Sequence, residues 1–158
     1  MYKATRSLIK LRQPHSNALV EKVFVRRIEG GVKRQCYENA CLLFEKNKNY
    51  KIVSGWFVSE WDKVTSSCLA LSHYWNVDEA GNFVDCSPMG NMSAEYVIDS
   101  EIGIFSSQNF DKLKSNVCSS IIFKTDSISG VDFRESGKVY RLFKDFSVDS
   151  LFSELNVD

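Results

Sequence analysis

The pattern of apolar and polar positions is clearest in CYENACLLFEKNKN, which starts at Cys36. Good helix formers there surround an apolar stripe through Ala40, Leu43 and Phe44, and lysines and asparagines gather near the end. This pattern predicts an amphipathic helix with Cys36 in its first turn. The preceding residues 17–28 fit either an amphipathic helix or a helix running into a strand, and paired glycines then break the pattern.

The middle and the end of the chain predict strands. Residues 50–61 and 67–77 are rich in β-branched or aromatic residues, which predicts neighbouring antiparallel strands. In the turn DEAGN that follows, Gly81 can take a positive φ, and NFVDCSP returns as a short partner strand until Pro88 ends it. Further strands are predicted in SAEYVIDSEIGIFSS, NVCSSIIFKTD and GKVYRLF, and a terminal helix in SVDSLFSELNV, residues 147–157.

The order of these elements predicts an α+β fold built on an antiparallel β-sheet. A helix followed by consecutive strands lacks the regular βα alternation that produces parallel sheets. The 158 residues are 44% hydrophobic and 13% aromatic, and they contain no internal repeat, low-complexity segment or linker. This composition indicates a single globular domain over residues 1–158.

Charge and cysteine content narrow the classes of function. The formal net charge is +0 and the basic residues are spread along the chain, which disfavours a nucleic-acid partner. No apolar run is long enough for a signal peptide or a bilayer span, so a cytoplasmic protein without a membrane partner is expected. The cysteines are odd in number and irregularly spaced, which favours free thiols over a disulfide framework: Cys36, Cys41, Cys68, Cys86 and Cys118.

The stretch SHYWNVDEAGNFVDCSP places His73 and Asp85 on either side of a turn. If the hairpin is centred on Glu79, antiparallel pairing puts the two side chains opposite each other, with β-carbons roughly 4.5 to 5.5 Å apart. That distance suits an imidazole N–H that donates to a carboxylate. A register slip of one residue would send the two side chains to opposite faces.

An aspartate bound to a histidine fixes the imidazole tautomer, which is useful chiefly when the other ring nitrogen can take a proton from a nucleophile. Cys36 is the candidate nucleophile, because it follows a glycine-containing loop and opens a helix. Backbone N–H groups and the positive dipole end at that position favour the thiolate and can receive an oxyanion. His15, the other histidine, follows Pro14 in an N-terminal loop without a comparable setting.

Four neighbouring residues are candidates for supporting roles, and two of them have a structural alternative. Asn39 lies three positions after Cys36, and its side-chain amide either forms a hydrogen bond near the site or lies on the helix surface without such a role. Trp75 shares a strand face with the histidine and either shields the imidazole or is simply core. Gln35 and Trp56 are possible oxyanion donors.

The same residues also allow interpretations without catalysis. A histidine beside a tryptophan in a strand is more often structural than catalytic, and Asp85 could simply cap the turn before Pro88. A zinc site is the chemical rival, although the chain lacks a C-x-x-C or H-x-x-x-H pair. Its ligands would come from Cys41, Cys68, His73 and Cys86. Thiol chemistry without a metal or cofactor is the simpler hypothesis.

The segments QCYENA, SGW and SHYWNVDEAGNFVDCSP together resemble the core of transglutaminase-like proteins, a branch of the papain-like cysteine hydrolase superfamily. They are also similar to small uncharacterised bacterial and phage proteins with a C-x-x-N-A, H-x-W and G-x-x-x-D pattern. The resemblance covers about residues 30–105 and leaves both ends unassigned. Tyr37 stands where transglutaminases commonly have tryptophan, and Cys86-Ser87 replaces the more usual proline or threonine.

The resemblance implies a papain-like core with Cys36 as nucleophile, His73 as general base and acid, and Asp85 as the residue that orients the histidine. We therefore expect an enzyme that acts through a thioester on an amide, ester or related acyl bond. The substrate would be a protein or a small acyl or amide compound, and hydrolysis, deamidation and acyl transfer all stay open. The alternative is a catalytically degenerate protein-binding module, for example a phage factor acting on a host protein.

Overall fold

The computed structural model describes residues 1–17, 19–33, 35–62, 67–88, 93–100, 117–123, 128–135 and 138–142. Its helices are α1 (Lys3–Arg12) and α2 (Cys36–Lys46), with a 3₁₀ turn at Gln13–His15. Its strands are β1 (Val20–Val23), β2 (Val25–Arg27), β3 (Lys51–Asp62), β4 (Ser67–Val77), β5 (Phe83–Asp85), β6 (Glu95–Asp99), β7 (Val117–Phe123), β8 (Ile128–Glu135) and β9 (Lys138–Leu142). Neither described helix is long and apolar enough to cross a membrane.

The strands form one sheet in the order β1-β6-β3-β4-β7-β8-β9. Pairs along this path are antiparallel, as in the long β3–β4 ladder that the sequence predicted. Off this path, β5 pairs antiparallel with β4 and parallel with β2. The predicted α+β class is confirmed, and the sheet is mixed instead of purely antiparallel.

The helix predicted within residues 17–28 is wrong, because β1 and β2 occupy this part of the chain. The apolar spacing there fits a helix, yet Val20, Val23 and Val25 are β-branched and buried. They are stabilised by pairing of β1 with β6 and of β2 with β5, contacts distant in sequence that override a local helical pattern.

The helix predicted from Cys36 is present, and its buried face matches the predicted apolar stripe only in part. Asn39 and Ala40 are the buried residues of α2, whereas Phe44 is 37% exposed. The Asn76 side chain of β4 donates to the Ala40 carbonyl oxygen at 2.9 Å. This close approach of strand to helix backbone suits a small residue at position 40.

The N-terminal helix α1 was not predicted, although its buried positions recur at helical spacing. Ala4, Leu8 and Arg12 lie four residues apart on one face. Ala4 and Leu8 join a core cluster with Trp56 and Val97. The helix therefore covers the face of the sheet to which Trp56 points.

The later predictions have mixed outcomes. Strands β6, β7 and β9 lie within the predicted segments, whereas β8 was missed despite alternating apolar and polar positions in VDFR. Glycine at position 130 and the charged residues after it concealed that strand. The predicted terminal helix, residues 147–157, lies outside the described residues.

Candidate functional site

The hairpin at the centre of the site has a register different from the predicted one. Asn76 pairs with Val84 and Val77 with Phe83, which centres the hairpin on position 80 instead of 79. Asp85 is therefore not directly opposite His73 but two positions out of line. Because this displacement is even, the two side chains stay on one face, within diagonal reach of each other.

The turn of this hairpin is closed by its own side chains. Gly81 adopts φ +83°, the positive value expected from the sequence. Asp78 accepts hydrogen bonds from the Asn82 backbone at 2.8 Å and from the Asn82 side chain at 2.9 Å. These bonds hold the register of β4 against β5.

His73 and Asp85 are in direct contact and are both buried, 4% and 2% exposed respectively. His73 Nε2 lies 2.7 Å from Asp85 Oδ2. The Cys36 thiol lies close enough to His73 to raise the pKa of the imidazole. Since Nε2 is occupied by the carboxylate, Nδ1 is the ring nitrogen available to the thiol. The structure thus brings Cys36, His73 and Asp85 together.

The pKa of His73 reflects opposing influences. Burial alone would lower it, but the hydrogen bonds from Asp85 and Cys36 and their negative charges raise the pKa of His73 from 6.5 to about 9. The pKa of Asp85 is lowered: burial opposes this shift, and the hydrogen bond and charge of His73 outweigh it. The pair is therefore held as imidazolium and carboxylate at neutral pH.

The carboxylate of Asp85 is held by further donors. The backbone N–H of Ser87 donates to Oδ1 at 2.8 Å, and the Tyr96 hydroxyl donates to Oδ2 at 2.8 Å. The Ser87 contact is local, whereas Tyr96 reaches the carboxylate from strand β6. Hydrogen bonds that favour the charged form help to keep a buried carboxylate ionised.

Aromatic rings enclose the imidazole of His73. Ring centroids of Phe57, Tyr96 and Trp75 lie 5.6, 5.8 and 6.1 Å from that of the imidazole. Gly55 pairs with His73 across β3 and β4. A Cβ on Gly55 would lie 2.8 Å from the Trp75 ring and 2.0 Å from the Val97 carbonyl oxygen. Glycine at position 55 therefore allows β6 and the Trp75 ring to pack closely beside His73.

Cys36 is brought to the histidine by the loop that precedes α2. The Ile28 N–H donates to the Asp85 carbonyl at 2.9 Å, and the Gly31 N–H donates to the Cys86 carbonyl at 3.0 Å. A Cβ on Gly31 would lie only 2.2 Å from that Cys86 oxygen. The loop before Cys36 therefore lies directly against the residues that end β5.

Asn39 joins the same two segments and is buried, not a helix-surface amide. Its side chain accepts from the Val32 N–H and donates to the Val32 carbonyl, both at 2.7 Å, and it contacts Ser87 Oγ at 3.3 Å. The loop before α2 and the segment after Asp85 are thus bound to one side chain. Asn39 supports the placement of Cys36.

The other supporting candidates have different outcomes. Trp75 is fully buried and stacked beside His73, so it shields the imidazole and belongs to the core at once. Trp56 points elsewhere, because its Nε1 donates to Asp99 at 3.1 Å. Gln35 is exposed at the N-cap of α2, where its backbone carbonyl accepts from the Asn39 N–H.

Two residues at the site were missed, Tyr96 and Arg27. Tyr96 opens the apolar run Tyr-Val-Ile of a predicted strand, a pattern that predicts burial. Its contact with Asp85 depends on the order β6-β3-β4 in the sheet, for which the sequence carries no direct signal. Arg27 falls in residues 17–28, predicted as a helix or as a helix running into a strand, and it lies in β2, where it pairs with Asp85.

The remaining thiols are dispersed. Cys86 Sγ donates to the Asn39 carbonyl at 3.6 Å, and burial and the charge of Asp85 raise the pKa of Cys86. Burial also raises the pKa of Cys41, five residues after Cys36 on α2. Cys68 packs against the core cluster around Trp56. Within the described residues, no group of three or more His, Cys, Asp or Glu side chains is placed to hold a metal.

Comparisons of the chain with protein-family models, with curated proteins and with solved structures find no match. Asp85, His73 and Cys36 together supply a carboxylate, an imidazole and a thiol. A buried imidazole between a carboxylate and a thiol can transfer a proton, and a thiol beside it can act as a nucleophile.

Proposed function

We propose that the protein is a thiol-dependent enzyme in which Cys36, His73 and Asp85 act as a catalytic triad on an amide, ester or related acyl bond. The observation that carries this proposal is the buried contact of His73 with Asp85 at 2.7 Å, with the Cys36 thiol close enough to raise the pKa of the same imidazole. The α+β fold and the position of Cys36 as first residue of α2 support a papain-like, transglutaminase-like core.

The resting state of the proposed enzyme follows from the charges of the triad. With a pKa of about 9, His73 carries a proton on both nitrogens near pH 7. In the proposed mechanism, the proton on Nδ1 is the one that the Cys36 thiol gives up when its sulfur becomes the nucleophile. Asp85 stabilises that imidazolium through Nε2.

In the first half-reaction, the Cys36 thiolate attacks the carbonyl carbon and forms a C–S bond. The tetrahedral oxyanion can accept a hydrogen bond from the backbone N–H of Cys36, at the first turn of α2. When the intermediate collapses, the bond to the leaving nitrogen or oxygen breaks and His73 Nδ1 gives that atom its proton. The product of this step is a thioester on Cys36 and a neutral imidazole.

In the second half-reaction, His73 Nδ1 takes a proton from water or an amine as it attacks the thioester carbonyl. The C–S bond breaks, the acyl product leaves, and the thiolate–imidazolium pair is restored. Water gives hydrolysis or deamidation, and an amine gives acyl transfer. The acceptor depends on how far the bound substrate excludes water from the site.

Selective acylation of Cys36 tests the proposal. A thiol-reactive acyl probe should modify Cys36 at least about tenfold faster than Cys41, since a positioned base contributes roughly 10²-fold or more. Cys41 is the matched internal control, because it lies on the same helix, is also partly buried and has a hydrogen bond with Tyr37 instead of an imidazole. Peptide mapping by mass spectrometry measures both rates in one sample.

The same experiment separates the enzyme from a degenerate binding module. In the His73→Gln variant, the advantage of Cys36 over Cys41 should disappear while the protein stays folded. Equal labelling of Cys36 and Cys41 in the unmodified protein would rule against the enzyme. A biological activity that survived both Cys36→Ala and His73→Gln would favour the binding module.

A further inference from the structure

The Tyr96 hydroxyl occupies a position in the site that the proposed reaction does not yet explain. It donates to Asp85 Oδ2 at 2.8 Å, the same oxygen that His73 Nε2 contacts at 2.7 Å. Tyr96 and His73 stand on different strands, β6 and β4, with β3 between them. The carboxylate is thus held from β6 as well as from the hairpin that carries it.

The ring of Tyr96 is restrained by its neighbours. It makes edge contacts with Phe57 and Trp75, each at a centroid distance of 5.3 Å, and is only 4% exposed. Edge-to-face packing on two sides leaves the ring little freedom. The packing therefore fixes the position of the Tyr96 hydroxyl relative to Asp85.

The exposed Arg27 side chain lies on the outer side of this ring. Its guanidinium carbon is 5.4 Å from the Phe57 centroid and 5.9 Å from the Tyr96 centroid. These distances place the positive guanidinium beside both aromatic rings. The hydroxyl proton of Tyr96 is donated to Asp85.

We infer that Tyr96 is a positioning residue for Asp85 and that Arg27, packed beside the Tyr96 ring, helps to hold its hydroxyl in place. Tyr96 extends the contact of His73 with Asp85 to strand β6. This inference rests on the proposed function, since the position of Asp85 matters to catalysis only if His73 carries the proton. Tyr96 acts through Asp85 and has no contact of its own with the reacting sulfur.

The titration of His73 gives a readout that does not need turnover. Among the described residues, the titratable groups facing His73 are Cys36 on α2, Asp85 on β5 and Tyr96 on β6, with Arg27 of β2 behind Tyr96. Loss of the tyrosine hydroxyl leaves Asp85 less firmly held against the imidazole. The pKa of His73 should then move down from about 9 towards 6.5.

The experiment is ¹⁵N NMR of histidine-labelled protein, with His73→Gln used to assign one of the 2 histidines. In Tyr96→Phe, the titration midpoint of His73 should fall by about half a pH unit to one unit, the size expected for one lost hydrogen bond. The control is Tyr2→Phe, which removes a tyrosine hydroxyl that contacts Ser93 instead of the triad. An unchanged or higher midpoint in Tyr96→Phe would overturn the inference.

Arg27 provides a second and independent variant. Because Arg27 is exposed, Arg27→Met should fold even if Tyr96→Phe does not, and it should lower the midpoint by a smaller amount. In the Tyr96→Phe background, Arg27→Met should have no further effect, because Arg27 acts through the hydroxyl. Additive shifts would show that Arg27 acts separately and would contradict its assigned role.

The labelling rate of Cys36 and the titration midpoint of His73 distinguish the proposed enzyme from the proposed role of Tyr96. If Cys36 labels no faster than Cys41 but the His73 midpoint falls in Tyr96→Phe, the enzyme fails while the positioning contact holds. If Cys36 labels fast and the midpoint does not move, the enzyme stands and the role of Tyr96 is wrong. Slower labelling in Tyr96→Phe, by about fivefold, should accompany a lowered midpoint.

Discussion

Two buried aspartates in this sheet have nearly the same surroundings and different chemistry. Asp99 Oδ2 accepts from Arg12 Nε at 2.7 Å, and Asp85 Oδ2 contacts His73 Nε2 at the same distance. In each case an aromatic side chain supplies a second donor to that oxygen, Trp56 Nε1 for Asp99 and the Tyr96 hydroxyl for Asp85.

The two pairs lie on opposite faces of one strand. Trp56 and Phe57 are neighbours in β3, so their side chains point in opposite directions. Trp56 contacts the arginine pair under α1, and Phe57 packs against His73. Each face of β3 therefore contacts one of the two pairs.

The difference lies in the cation and in what it touches next. A guanidinium group does not serve as a proton donor or acceptor in proteins, and Arg12 is fully buried, so its pair has no group for proton transfer. His73 can give up a proton, and its imidazole lies close to the Cys36 thiol. A buried ion pair becomes a site for chemistry when its cation titrates and has a third, nucleophilic partner.

The largest expected effect is on the chemistry of the histidine pair. His73→Gln keeps a donor for Asp85 but removes the group that accepts and returns the Cys36 proton. Acylation of Cys36 should slow by about 10² to 10⁴-fold, as measured by mass spectrometry. A loss of less than threefold would show that His73 has no part in activating the thiol.

The next largest effect breaks the arginine pair. Arg12→Met leaves the Asp99 carboxylate buried without its cation, which should cost about 3 to 5 kcal/mol of unfolding free energy. Urea denaturation followed by fluorescence measures this loss. Arg6→Met is the matched control: Arg6 is exposed on the same helix, so its loss should change stability by less than about 0.5 kcal/mol.

A pH series sharpens the contrast between the two cations. The folded pKa of His73, about 9, lies above its ordinary value of 6.5. Its contribution to stability is therefore fully present below pH 6.5 and is lost as pH rises through 9. Linkage gives a loss on the order of 3 kcal/mol, which should be absent in His73→Gln.

The arginine pair should show no such change in that window, because the guanidinium stays charged. The measurement compares urea midpoints at pH 6 and pH 9.5 for the unmodified protein, His73→Gln and Arg12→Met. If Arg12→Met removed the pH dependence and His73→Gln kept it, the raised pKa of His73 would not be its source.

The smallest effect concerns the loop that brings Cys36 to the histidine. Gly31→Ala places a Cβ 2.2 Å from the Cys86 carbonyl oxygen, which should cost about 1 to 3 kcal/mol and slow labelling of Cys36. The matched variant is Gly30→Ala, where φ is +118° and nothing lies within 4 Å. Its backbone strain should cost about 1 kcal/mol and leave labelling unchanged. Equal labelling in both variants would mean that contact with Cys86 does not place the thiol.

Much of the site could be predicted because its members occupy local structures with strong signals. The β3–β4 ladder, the glycine turn and the short β5 follow from strand composition and turn chemistry within residues 50–88. The helix from Cys36 follows from its local pattern. The predicted hairpin register was wrong by two residues. A displacement by an even number leaves His73 and Asp85 on the same face of the sheet, so their predicted contact is present.

Other features could not be predicted, because they depend on elements that are distant in sequence. The strands within residues 17–28 exist through pairing with β6 and β5, against a local helical pattern. Trp56 and Tyr96 stand in similar strand patterns, yet one binds the structural aspartate and the other the aspartate of the site. The order of the strands decided which aspartate each one meets.

The sequence by itself therefore determined the chemical groups and their local placement: a cysteine at a helix start, and a histidine and an aspartate on one face of a hairpin. Periodicity and turn chemistry act over a few residues, so they need no knowledge of the rest of the chain. Only the tertiary structure decided that Asn39 binds the loop before Cys36 to Ser87, and that Tyr96 and Arg27 stand behind Asp85. Those contacts join separate segments, and their hydrogen bonds form only after the sheet has brought the segments together.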